Sequence, residues 1–168
     1  MARIEVRPAR PGDGEDLARN WIEMGSHYAA LDPDAFQAPA ADGLTGWFEE
    51  LLRQPRDDDS IWLVAEVDGR VVGTVDAHLE RPADDASRQI LRDLARLRLT
   101  VDALGVEEAY RRQGVGTRLL RAVEAWGRDR GAARIVLTTF VDSPTSMPFY
   151  QHRMGYQQRS VVFGKHLD

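Results

Sequence analysis

The sequence predicts an α/β domain: a mixed central β-sheet covered by helices on both faces. Three observations carry this. Helical and β-rich runs alternate through the second half of the chain, which implies strands connected through helices. Asp68-Gly69 sits between two β-rich runs, a hairpin signal, because a tight two-residue turn needs positive φ angles. A sheet that is partly hairpin and partly helix-connected is mixed, and its parallel part needs cover on both faces. Finally, 168 residues, 43% of them hydrophobic and 29% charged, suffice for a single domain spanning 3–168 that buries its own core.

Taken in order, Ile4 and Val6 alternate with polar residues and predict a first strand over 3–7. Arg10-Pro11-Gly12-Asp13 reads as a turn, and a helix follows from Gly14 or Glu15 with Leu17, Trp21, Ile22 and Met24 as its apolar set. The Leu31-Asp32-Pro33-Asp34 stretch breaks it. Leu44, Trp47, Phe48, Leu51 and Leu52 recur at helical spacing and mark one buried face, which Gln54-Pro55-Arg56 terminates. After a polar loop over 57–60, strands are expected at 61–67 and 70–75. Residues 81–95 are ambiguous: Ile90, Leu91 and Leu94 suit either one side of a short helix or a mobile loop. A strand over 97–106 precedes a helix over 116–130, whose core stripe is Leu119, Leu120, Val123 and Trp126 and whose stop is Gly131. A strand over 135–140 follows. Ser143-Pro144 then offers an N-cap and first-turn pair for a short helix ended by Gly155, and a last strand is expected within 158–165.

Composition narrows the function. The absence of cysteine removes disulfides, thiolate metal sites and a cysteine nucleophile, and it suits a reducing compartment. His27, His78, His152 and His166 lack metal-ligand spacing, so no metal is expected and they read as surface histidines. A net charge of −5 argues against general nucleic-acid binding. No segment resembles a signal peptide or a membrane span, so a soluble cytoplasmic protein without a membrane partner is the expectation.

The chemistry concentrates in Arg111-Arg112-Gln113-Gly114-Val115-Gly116-Thr117, which joins the end of a strand to the start of a helix. Glycines there allow a tight turn and leave no Cβ between the backbone amides and a ligand. The free N–H groups and positive dipole end of the helix favour a phosphate or diphosphate, with Arg111 and Arg112 adding positive charge. The same string also suits a turn that only starts a helix. It is neither a Walker loop, which needs Lys-Ser or Lys-Thr after its last glycine, nor a dinucleotide fingerprint, which follows the first strand.

Leu104-Gly105-Val106 followed by this loop resembles the cofactor motif of the GNAT N-acetyltransferase superfamily, Arg/Gln-x-x-Gly-x-Gly/Ala, which Arg111, Gly114 and Gly116 satisfy. Phe149-Tyr150 and Gly155-Tyr156 resemble the family's later Phe/Leu-Tyr and Gly-Phe/Tyr segment. The opening Arg7-Pro8-Ala9, the Val71-Val72-Gly73-Thr74-Val75 run and the terminal strand also fall where that family places them, so the resemblance covers nearly the whole chain. It implies splayed fourth and fifth strands, with the pantetheine arm of acetyl-CoA against Leu104, Gly105 and Val106. It places the pyrophosphate on the amides of Arg112, Gln113, Gly114, Val115, Gly116 and Thr117. It also implies direct attack by a primary amine, small molecule or peptide, in a ternary complex. The alternative is a non-catalytic acyl-CoA-binding module or sensor.

Within that resemblance Tyr150 is the candidate acid for the departing thiolate; otherwise it is an amphipathic tyrosine packed on the core. Asp102 is the candidate base, expected on the face of Thr100, Leu104 and Val106; its other reading is a solvated residue or a partner of an arginine such as Arg98. Glu107 and Glu108 are alternatives expected in an exposed loop. Ser143 stands where many members carry an asparagine that bonds the pantetheine. The tyrosine-to-glycine segment is one residue longer than usual, which implies a bulged helix end, and the chain after Gly155 leaves little room for the usual closing hairpin. Trp21, Met24, His27, Tyr28 and Phe36 lie in the segment that shapes acceptor pockets in the family, though large apolar residues are more often core. Asp57-Asp58-Asp59 suits either attraction of a cationic acceptor or a solvated loop. The insertion at 81–96 is a candidate to cover the site or to pair subunits into a homodimer.

Overall fold

The computed structural model describes residues 3–165 and residue 167. The chain divides into two compact units, one ending at Thr138 and the other beginning at Thr139. The first unit holds the sheet. Its strands are β1 (Ile4–Pro8), β2 (Ser60–Val67), β3 (Arg70–Glu80), β4 (Arg98–Val106) and β5 (Arg134–Leu137), hydrogen-bonded in that order. The pairs from β1 to β4 are antiparallel, and β5 joins β4 in parallel, so the sheet is mixed. Its helices are α1 (Gly14–Leu31), α2 (Leu44–Arg53) and α3 (Val115–Asp129).

Helices cover both faces. On one, Leu17 and Ala18 of α1 and Phe48 of α2 bury against Trp62, Val64 and Val71. On the other, α3 presents Val115, Leu119, Leu120 and Val123, all fully buried, each such side chain contributing about 1.5–3 kcal/mol of burial free energy. A Cβ on Gly73 would stand 3.0 Å from Val115 Cγ1 and 3.3 Å from Leu119 Cδ1, so α3 lies as near to β3 as that strand allows. The hairpin forms as expected, with Asp68 at φ 51° and Gly69 at φ 82°. Arg7 anchors the start of α1 by a bidentate pair to Asp13, both contacts 2.8 Å. Burial pushes the Asp13 carboxyl up, but hydrogen bonds from Arg7 and the Arg10 N–H, with their charges, hold it below its ordinary value.

Several expectations are corrected. Trp126 is only half-buried; it carries the Arg130 guanidinium over its ring at 4.3 Å. Residues 81–96 form neither a regular helix nor one undivided loop but two 3₁₀ turns, Ala86–Arg88 and Arg92–Ala95, with Ile90 and Leu91 exposed. The strand β5 stops at Leu137 instead of reaching Phe140. No strand forms within 158–165, although Val161, Val162 and Phe163 favour β-structure. Such propensity reflects fit to a half-buried pleated surface, and those three side chains are exposed. The second unit instead holds a short helix, α4 (Ser146–Pro148), continued by a π-helical turn, Phe149–Arg153. Among the described residues no helix is long and apolar enough to cross a membrane.

Candidate active site

The glycine loop adopts the predicted strand-to-helix form. Gly114, at φ 91°, is the N-cap residue of α3, a backbone setting that favours glycine. No side chain caps the first turn, and the first α-helical acceptor in the loop, Gly114 O, serves Arg118 N at 3.0 Å. The N–H groups of Val115, Gly116 and Thr117 therefore precede the α-helical ladder, and a phosphate oxygen is the kind of acceptor they suit. Arg112 is exposed with φ 59°, and Gln113 Nε2 donates to Ala109 O at 2.8 Å. Arg111 differs from its expected role. Its Nε donates to Val106 O at 3.0 Å and its guanidinium reaches Glu23 at 3.4 Å, so it braces the loop against β4 and α1.

The fourth and fifth strands separate as the resemblance implied. Their ladder runs from Arg98–Arg134 to Val101–Leu137 and ends there, while β4 continues to Val106. Past Val101, the β4 edge that faced β5 has no strand partner among the described residues. Gly105 lies on this stretch, and a Cβ there would fall 2.3 Å from Asn20 Oδ1 and 3.5 Å from Met24 Sδ. That Asn20 oxygen is buried without a hydrogen-bond partner in the structure.

Asp102 stands at the point of separation. Asp76 of β3 pairs with Ala103 and Ala77 with Val101, so Asp102 is the extra residue of a β-bulge. The bulge resets the alternation and corrects part of the expected face: Asp102 shares the side of Thr100, which pairs with His78, but not that of Leu104 and Val106. Leu104 and Val106 pair with Val75 and Gly73, on the α3 side, whereas Asp102 and Ala103 both line a cavity on the α1–α2 side. Its partner is not Arg98, which binds Glu80, but His78: Nδ1 lies 2.7 Å from Asp102 Oδ2. His78 Nε2 is 4.0 Å from Glu80 Oε1. The Thr100 hydroxyl, donating to Glu80, is the largest influence lowering that carboxyl, with Arg98 and His78 adding to it against desolvation. Glu107 is also corrected. It is 4% exposed, held between Arg19 Nε at 2.9 Å and Arg70 at 2.8 Å, so both carboxylate oxygens are committed. Glu108 is exposed as expected.

The cavity measures about 450 Å³, within the range of small-molecule sites. Trp21, Trp47, Phe48 and Trp62 form its aromatic wall, the Trp47–Phe48 rings meeting edge-on at 4.9 Å. Met24, His27, Tyr28 and Phe36 are not on its lining. The buried Trp62 Nε1 donates to Thr74 Oγ1 at 2.8 Å, which keeps the indole fixed. Opposite Trp62 in the ladder is Asp76. Arg56 closes on it with two bonds of 2.9 and 3.1 Å and lays its guanidinium over the Trp62 ring at 4.9 Å. Arg56 and Asp76 escaped the sequence reading, and His78 was read only as a surface histidine. The usable signal was cross-strand pairing from Asp68-Gly69, but simple counting sets Val75 opposite Trp62, and a bulge in the hairpin moves Asp76 there.

In the second unit, Ser143 is buried and caps the following turn: its Oγ accepts from Ser146 N at 3.1 Å. Tyr150 is half-buried, between the rings of Phe149 at 5.2 Å and Tyr156 at 5.9 Å. The expected bulge is present as the π turn, with Met154 N donating to Phe149 O at 3.0 Å and Tyr156 N to Tyr150 O at 2.8 Å.

A profile of the Acetyltransferase (GNAT) family matches residues 21–156, and the chain belongs to that family. It is 34% identical over 104 residues to human N-acetyltransferase 8, a match covering 62% of this chain and 41% of that protein. The chain thus spans about two fifths of the length of that curated relative. Its fold is that of a variant of the BH1408 protein from Bacillus halodurans, with TM-score 0.81, 19% identity and coverage of 97% of this chain and 99% of the other. It is similar also to the aminoglycoside N-acetyltransferase AAC(6')-Iy, solved in complex with CoA, with TM-score 0.66, 18% identity and coverage of 99% and 96%.

Proposed function

We propose that residues 3–168 act as one catalytic domain, an acetyl-CoA-dependent N-acetyltransferase that acetylates a primary amine by direct attack. The observation that carries this reading is the position of Asp102, at the end of the β4–β5 ladder and on the lining of a cavity. Family membership and the CoA bound by a structural relative support the choice of cosubstrate. Leu104, Gly105 and Val106 are the proposed pantetheine edge, with Ser143 a further contact. Arg112, Gln113, Gly114, Val115, Gly116 and Thr117 are the proposed diphosphate cradle, with Arg111 holding that loop in place. The uncapped first turn of α3 fits an anion, and an added Cβ at Gly114 would meet no atom.

Acetyl-CoA supplies the activated acetyl group as a thioester. Asp102, held by His78, takes the proton that the attacking ammonium must lose, directly or through water. The amine nitrogen bonds to the carbonyl carbon as the carbon–sulfur bond breaks. Tyr150 donates its hydroxyl proton to the departing sulfur, and the second proton shed by the nitrogen on becoming an amide returns to Tyr150 through water. Calorimetry tests the cofactor half: CoA binds to the purified protein, and absence of any heat of binding overturns the reading. Thiol release at saturating acetyl-CoA tests Tyr150: Tyr150→Phe lowers kcat about 10- to 100-fold, and unchanged turnover with an unchanged pH profile removes its role. CoA binding with no amine-dependent thiol release would identify a binding module instead.

A further inference from the structure

The cavity beside Asp102 carries a statement about the acceptor, one that rests on reading this cleft as the amine side of an acetyltransferase. Three aspartates reach its lining: Asp57, Asp76 and Asp102. Asp76 is closed by Arg56, a cation that stays charged at any physiological pH. Asp57 accepts the N–H of Asp59 at 2.9 Å, completing its own loop. Asp102 faces a histidine instead of a permanent cation. Asp102 is therefore the lining carboxylate offered to an ammonium where the ladder opens, while Asp57 lies exposed on its loop and the Asp76 carboxylate is already neutralised by Arg56.

The opposite wall is aromatic. Trp62 already binds a cation on its face, supplied by Arg56, while Trp21, Trp47 and Phe48 extend the apolar surface. We infer that the acceptor is a monoamine carried on an apolar, ring-bearing body: its single ammonium at Asp102 and its ring against Trp47 and Phe48, with Arg56 keeping Asp76 closed to a second ammonium. The class disfavoured is the polyamine or aminoglycoside type, whose further ammonium groups find Asp76 already paired and, among the described lining residues, only Asp57, on the exposed loop, without a cation.

The test uses 2-phenylethylamine, 1,5-diaminopentane and kanamycin, each titrated calorimetrically into the CoA-loaded protein and assayed for thiol release from acetyl-CoA. The expected result is tighter binding and a higher kcat/KM for 2-phenylethylamine than for either polycation, by about tenfold or more. Arg56→Ala uncovers Asp76 and moves the diamine-to-monoamine affinity ratio about tenfold toward the diamine, with CoA affinity unchanged. Trp47→Ala, at a half-exposed side chain, weakens 2-phenylethylamine about fivefold and leaves the diamine unaffected. Preference of the natural protein for kanamycin or the diamine, an unmoved ratio in Arg56→Ala, or no measurable binding of 2-phenylethylamine overturns the inference. Amine binding without thiol release supports the inference and counts against the catalytic reading alone; failure of CoA to bind counts against that reading, and amine titration of the unliganded protein then decides the acceptor class.

Discussion

The two faces of the sheet are specified in different ways. On the α3 face, backbone does the work: Gly73 lets the helix approach, Gly114 turns the chain into it, and the first-turn amides, proposed to hold an anion, have no side-chain cap. On the α1–α2 face, the features that matter are side chains from distant segments, Arg56, Trp62, Asp76 and Asp102, assembled around one cavity. A backbone site is written in consecutive residues, because the glycines that shape it must adjoin the amides they expose. A side-chain site is written in strand register, which a single bulge rewrites.

The comparison predicts that substitutions on the cavity side cost turnover more than stability, and that the reverse holds where backbone is packed closely. The largest effect is expected at Asp102. Asp102→Asn keeps the shape of the bulge and removes the proton acceptor, so kcat falls about 10²- to 10⁴-fold while the melting temperature and CoA affinity hold. Steady-state thiol release with an amine acceptor, beside a thermal scan, measures both. Full activity in this variant would move the base elsewhere; His78, at 2.7 Å, would then be the next group to replace.

Legibility followed the same division. The hairpin was readable because Asp-Gly forces a turn of one hand, and the α3 stripe because Leu119, Leu120 and Val123 repeat at helical spacing. The loop at 111–117 was readable on local grounds as a glycine-bearing turn into a helix, the form it takes; its anion role, which the resemblance favoured, is a proposal. By contrast, Asp102 was singled out by its chemistry and set on the face of Leu104 and Val106 as well as that of Thr100, of which only the last holds, since its bulge has no local signature. Glu107 read as a loop carboxylate because its partners, Arg19 and Arg70, are remote in sequence. The missing last strand shows the converse limit: Val161, Val162 and Phe163 carry propensity, but propensity without burial did not produce a ladder.

The smallest predicted effect lies at Gly105, where the two kinds of specification meet. It belongs to the β4 edge proposed for the pantetheine, yet its own constraint comes from the α1–α2 face, where Asn20 Oδ1 occupies the space a Cβ would need. Asn20 is 2% exposed and its Oδ1 has no hydrogen-bond partner among the described residues, so no bond to that oxygen opposes its displacement. Gly105→Ala therefore overpacks the contact and destabilises by about 1–3 kcal/mol, read as a lowered denaturation midpoint. Replacing Asn20 as well, in Gly105→Ala with Asn20→Ala, removes both the clash and the buried unsatisfied oxygen. The double variant is then more stable than Gly105→Ala alone. Restored stability with CoA affinity still reduced would mean that the glycine serves the cofactor edge as well as the packing. Restoration of both would assign it to packing alone. A double variant no more stable than the single one would show that the Asn20 contact is not what fixes this position.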